Sequence, residues 1–151
     1  MIRARAAVVL LLLGLVAAGC GESDESANQF RDDYNDAIGP LNAVNSRIQE
    51  AGEDAGRMSG PQISREFDRI ADSADRTRFE LSNLEPPEGA QDELDALVAA
   101  IDDGIRDLRA IARAARQENQ QRFQDATVAL SESGEEISRA ETELKDAVES
   151  D

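Results

Sequence analysis

The sequence predicts an all-α protein, an antiparallel four-helix bundle running up-down-up-down, and three observations carry that expectation. Four stretches place apolar residues at alternating steps of three and four, the period of a helix buried along one stripe. No stretch competes with the apolar-polar alternation of a half-buried strand. The breaks between stretches are short, which makes successive helices antiparallel neighbours. A chain of 151 residues has room for one such domain, expected over 27–151. A long helical hairpin or coiled coil is the alternative.

The first nineteen residues obey different rules. Arg3 and Arg5 make a positive start, an apolar run follows from Ala6 to Val16, and Ala17, Ala18 and Gly19 lead to Cys20, the only cysteine. This is the layout of a secretory signal. The apolar run falls short of the roughly 20 residues a stable membrane span needs. Small residues directly before a lone cysteine resemble the lipobox of bacterial lipoproteins, although Ala17 stands where Leu is most usual. The resemblance implies that residues 1–19 are a signal peptide and that Cys20 is the lipidation site, its thiol receiving diacylglycerol and the new amino terminus an acyl group such as palmitate. At least two chains would then hold the protein stably, where one would hold it only marginally. The implied location is extracytoplasmic, anchored to the cell membrane, or to an outer membrane if the cell has two.

Removing Arg3 and Arg5 with the signal takes the formal charge from −16 to −18. Anionic lipid repels such a body, so residues 20–26 are expected to act as a short tether that stands the domain off the surface. At about 3.3 Å per residue the tether reaches some 20 Å.

The first helical stripe runs Ala27, Phe30, Tyr34, Ala37, Leu41, Val44, Ile48 and Ala51. Gly39 and Pro40 interrupt it, and Pro40 lacks a backbone donor while its ring crowds the preceding turn. The apolar phase continues across them, which predicts one helix kinked at Gly39-Pro40, with two shorter helices as the fallback. Gly52 to Pro61 holds three glycines and a proline and reads as a loop. Ser59 and Gln62 have capping-box spacing for the helix beyond it. The second stripe runs Ile63, Phe67, Ile70, Ala74, Thr77, Leu81 and Leu84.

Pro86 and Pro87 are expected to end the second helix and open the third, because proline suits a first turn and not a helix interior. Leu81, Leu84, Pro86 and Pro87 followed by a heptad helix resemble a pattern in small exported helical proteins of high-GC bacteria, many of them without an assigned function. The third stripe runs Leu94, Val98, Ile101, Ile105, Leu108, Ala112 and Ala115. Its early acids, from Glu88 to Asp95, and late Arg109, Arg113 and Arg116 complement the helix dipole. The last break, near 117–121, has no Gly or Pro, and here the long-helix alternative enters. The fourth stripe alternates large residues, Phe123, Leu130, Ile137 and Leu144, with small ones, Ala126, Ser133, Ala140 and Ala147. Such alternation predicts close packing against a complementary face.

Composition excludes several function classes. The 32 acidic against 16 basic residues speak against nucleic acid, which is bound through clustered Lys and Arg. The chain has no histidine, which removes Glu-x-x-His di-iron sites, haem ligation by His, His-containing zinc sites and His-based triads. No cofactor and no metal are therefore expected. Asp32, Asp33 and Asp36, or Asp102, Asp103 and Asp107, could supply oxygen ligands to Ca²⁺ or Mg²⁺. They lack the tight turn of a calcium loop, and a solvated helix face is the plainer reading. Gly52, Gly56 and Gly60 read as loop flexibility and not as a helix-dimer face, because Glu53, Asp54 and Arg57 lie among them.

Tyr34, Thr77, Ser133 and Gly134 soften the stripes. They either line a small internal pocket or simply admit a neighbouring helix. Phe79 lies off its stripe and either widens the core or is an exposed contact.

The function expected from these residues is that of a lipid-anchored envelope protein, not an enzyme, acting as an interaction or scaffolding module. A sensory or small-ligand-binding bundle is the alternative. Its partners would be the membrane through Cys20 and an envelope protein, with the chain itself monomeric.

Overall fold

A computed structural model describes residues 22–150. The signal segment 1–19, Cys20 and the end of the chain at Asp151 lie outside the described residues. The described chain is all-α. Helix α1 spans Glu22–Asp54, α2 spans Gly60–Leu81, α3 spans Gln91–Arg116 and α4 spans Gln120–Glu149, with a 3₁₀ turn at Ala55–Arg57 after α1. Among the described residues there is no strand.

The helices run up-down-up-down. Arg116 at the end of α3 reaches Asp68 near the start of α2, Gly104 in mid-α3 lies beside Ile137 in mid-α4, and Arg31 near the start of α1 reaches Val148 at the end of α4. Helix α3 is the centre. It packs extensively on both α2 and α4, and α1 packs mainly on α2. Eleven α3 residues are buried, among them Leu97, Ile101 and Ile111 with almost no exposure. Full burial of a Leu or Ile side chain stabilises by about 1.5–3 kcal/mol, so α3 anchors the fold.

Every residue of the four stripes is buried or half-buried. The alternation in α4 has a specific outcome. Its small residues Ala126, Ser133 and Ala140 are buried, whereas the large Phe123, Leu130 and Ile137 are only half-buried. Small side chains let α4 approach α3 closely, and the Ser133 hydroxyl donates to Asp107 at 2.7 Å across that contact. Leu130 and Ile137 border the space between α4 and α1, Ile137 also lying beside Gly104 of α3, while Leu144 farther along α4 is fully buried.

Several boundaries differ from the sequence expectation. Helix α1 already begins at Glu22, so most of the stretch read as a tether is helical. The helix passes Pro40 without a break. Gly39 and Pro40 are both exposed, so the lost donor falls on the solvated side and the buried stripe runs on. The expected loop from Gly52 to Pro61 shrinks to the 3₁₀ turn and Met58-Ser59. Gln62 Oε1 closes the start of α2 by accepting from the Ser59 amide at 2.9 Å and its hydroxyl at 2.7 Å.

Pro86 and Pro87 do not open α3. Helix α2 has ended at Leu81, where the side chains of Ser82 and Asn83 turn back and donate to the Phe79 carbonyl. Such local bonds compete with the helical ladder. The prolines lie in the connection 82–90, and α3 starts at Gln91, four residues beyond Pro87.

The third break is real, and the long-helix alternative falls. Glu118 adopts a left-handed φ of 52°, the Asn119 amide bonds the Ala114 carbonyl at 3.0 Å and the Glu118 amide bonds Ala115 at 3.2 Å. These two bonds form the Schellman arrangement that ends a helix. The Asn119 side chain then accepts from the Arg122 amide at 3.0 Å and starts α4.

Two glycines in this frame have opposite roles. A Cβ on Gly60 would sit 2.5 Å from the Ala115 carbonyl oxygen, whereas one on Gly134 would meet nothing within 4 Å. Gly60→Ala should therefore destabilise by about 1–3 kcal/mol through forced separation of α2 from α3. Gly134→Ala should stabilise by up to about 1 kcal/mol through helix propensity. Denaturant midpoints of the two variants moving in the same direction would contradict this packing.

Candidate functional site

Helices α1 and α4 are joined by a hydrogen bond near one end of the bundle. There Arg31 donates to the Val148 carbonyl at 3.2 Å, supplying a positive charge where the last turn of α4 has no basic residue of its own. Farther along, a groove of about 490 Å³ lies between the two helices, within the usual size range of small-ligand sites.

The groove follows from the helix faces described above. Leu130 and Ile137 of α4 form one wall, turned there because the small α4 residues occupy the contact with α3. Ile38, Leu41 and Ile48 of α1 form the other, and the floor includes Ile101, Ile105 and Leu108 of α3. Gly104 in the floor and Gly134 in the wall keep the space clear. The rim is polar but almost uncharged. On α1 it carries the amides of Asn42, Asn45 and Gln49. On α4, Thr127 and Ser138 turn their hydroxyls back to carbonyls of their own helix, which leaves that wall largely apolar.

Among the described residues Glu141 is the only charged one lining the groove, in a chain of which 32% is charged. It stands at the end nearer the start of α1. Its carboxylate pairs with Lys145 at 2.9 Å, and Lys145 is the single lysine of the chain. On the other side lies Tyr34, buried and stacked on Phe30 with ring centroids 6.0 Å apart. Tyr34, Lys145 and Leu144 line a second, smaller cavity of about 200 Å³ between the same two helices. The Tyr34 hydroxyl meets no partner within hydrogen-bonding geometry, so the nearby Glu141 carboxylate acts on it chiefly through its field. Burial first, then Glu141, push the hydroxyl well above the ordinary tyrosine range.

The other residues singled out in the sequence do not assemble into a site. Ser133 is buried and donates to Asp107 of α3, and Thr77 is buried on α2. Of that group Gly134 alone lines the groove, and Tyr34 the adjoining cavity. Asp102 pairs with Arg78 at 3.4 Å, Asp103 pairs with Arg106, and Asp107 accepts from Ser133. Asp32, Asp33 and Asp36 are exposed along α1. Among the described residues no group of three or more His, Cys, Asp or Glu side chains is placed to hold a metal ion. Phe79 is 62% exposed, and Val128 of α4, which no sequence signal marked, is 60% exposed. No described helix is long and apolar enough to cross a membrane.

The Tyr34 environment sets an alkaline limit. Its folded-state pKa lies above the unfolded value of 10.0, so the fold holds the neutral phenol. That contribution is full below the unfolded value and is lost as pH rises through the folded one. Stability should fall above about pH 10, and Tyr34→Phe should flatten the fall. As the chain has one Tyr and no Trp, phenolate absorbance follows this group alone. Its appearance at an ordinary tyrosine pH with the helices intact would refute the buried environment.

No protein-family model matches the chain, and comparison with curated proteins and with solved structures finds no match.

Proposed function

We propose that this protein is a non-catalytic binding module, anchored through lipid on Cys20 at the outer face of a cell membrane, whose working surface is the α1–α4 groove. The groove is the observation that carries this reading. It joins a concave apolar floor to a few polar rim groups, the usual composition of a small-ligand site. The ligand-binding alternative is thereby favoured over pure scaffolding. Phe79 and Val128 lie on different helices, and single exposed apolar residues are ordinary on protein surfaces.

The start of α1 at Glu22 bears on the anchor. One residue separates Cys20 from the helix, so a lipidated Cys20 would hold the bundle close to the headgroups and not at the end of a 20 Å leash. The start of α1, the 82–90 connection and the end of α4 would form the membrane-proximal end. The groove would then lie beside the bundle's length, accessible from the side.

Two experiments test the two halves separately. Cys20→Ala should move the protein from the membrane to the soluble fraction, and continued membrane retention would end the anchoring proposal. Within that unlipidated full chain, the neutral dye Nile red should brighten on binding. Adding Gly134→Trp, which places a ring in open groove space, should cut its affinity at least tenfold. Phe79→Ser should leave it unchanged. Equal binding by the plugged chain would end the groove proposal.

A further inference from the structure

Resting on that reading, we infer that the groove selects a cationic amphiphile, a single apolar chain ending in an ammonium or similar group, with Glu141 as the residue that recognises the charge. The site is polar at one end only. From Ile38 to Gln49 the α1 wall covers about three helical turns, and every ionisable group of the lining is concentrated in Glu141 at the Ile38 end. The far end offers Gln49 and Thr127, both neutral. A linear molecule therefore has one orientation in which its chain lies over Leu41, Ile105, Leu130 and Ile137 and its head meets the carboxylate.

The sign of the head group follows from two charges, one local and one global. Locally, Glu141 is partly shielded, with its side chain 30% exposed, so a charge brought beside it is less screened than on an open surface. Globally, a formal charge of −16 enriches cations and repels anions around the molecule. A carboxylate or phosphate head would face Glu141 with no cation of the lining to receive it. Lys145 is the only compensation, and it reaches Glu141 from outside the lining with its side chain 56% exposed. Exposed pairs of this kind contribute little, so an incoming ammonium can displace Lys145 from the carboxylate or share it. The buried Tyr34 hydroxyl, unpartnered in the adjoining cavity, adds an oxygen acceptor beside the same position.

The test uses three photoactivatable probes with the same decyl chain, bearing a diazirine and ending in ammonium, alcohol or carboxylate. Each is crosslinked to the full Cys20→Ala chain and the labelled residues are mapped by mass spectrometry. Labelling at Leu41, Leu130 and Ile137 should follow the order ammonium, alcohol, carboxylate, with ammonium favoured over alcohol about three- to tenfold. Glu141→Gln should abolish that order while keeping alcohol labelling, and Lys145→Gln should strengthen ammonium labelling. Groove labelling that is equal for the three heads, or unaffected by Glu141→Gln, would overturn the charge selection and leave the binding groove standing. No groove labelling by any probe would overturn both.

Discussion

Everything distinctive in this structure depends on the close contact between α3 and α4. Helix α3 is buried on two sides, and small residues, Ala126, Ser133 and Ala140, recur along the buried face of α4, with Ile137 seated beside Gly104. With small side chains at the interface, the helix axes approach and the larger residues of the same stripe are displaced to its flank. Leu130 and Ile137 are thus half-buried, not because the core lacks room for them but because the α3 contact has fixed the rotation of α4 about its own axis. Helix α1 is held principally by α2 on the opposite side. It does not follow α4 inward, and the gap between them becomes the groove.

The charges serve register more than stability. The α2–α3 face carries Arg116 to Asp68 at 2.8 Å, Arg109 to Asp72 and Asp75 at 3.7 Å each, and Arg78 between Asp75 and Asp102. These side chains are mostly well exposed, and exposed pairs typically contribute less than about 1 kcal/mol. Their effect is to match one helix to the other in a chain otherwise crowded with like charge. Arg31 does comparable work at the α1–α4 end, where a single guanidinium meets the carbonyl end of α4. No equivalent ladder joins α1 to α4 along the groove, which is consistent with those two helices parting there.

Sequence periodicity revealed the buried stripes well because burial on one helix face is a local property: Phe30, Ile70, Leu108 and Leu144 each fall where the heptad step places them. Boundaries were less legible. The α3–α4 break uses Glu118 in a left-handed conformation that glycine would ordinarily mark, and no Gly or Pro stands there. The end of α2 is set by back-bonding from Ser82 and Asn83, ahead of Pro86 and Pro87. The groove was not legible, since a stripe tells which face is apolar and not whether the fourth helix meets the first. Tyr34 and Gly134 were singled out for a pocket, but Glu141 was one acid among 32 acidic residues until the fold isolated it.

That isolation is the strongest reason to regard the groove as more than a packing defect. A bundle of this length could close by exchanging Gly104 or Gly134 for a larger side chain, and Gly134 in particular has no backbone requirement and no neighbour within 4 Å that forbids one. A mid-helix glycine lowers stability by roughly 1 kcal/mol relative to alanine. The structure thus leaves a readily available stabilisation unused at the very position where a side chain would obstruct the groove. Nearby, it keeps a tyrosine hydroxyl buried with only Glu141 close to it, where phenylalanine would fill the same volume without the desolvation penalty. Two departures from optimal packing, on different helices, thus border the same α1–α4 gap, which is what the proposed binding groove requires of the space and of the polar end beside Glu141.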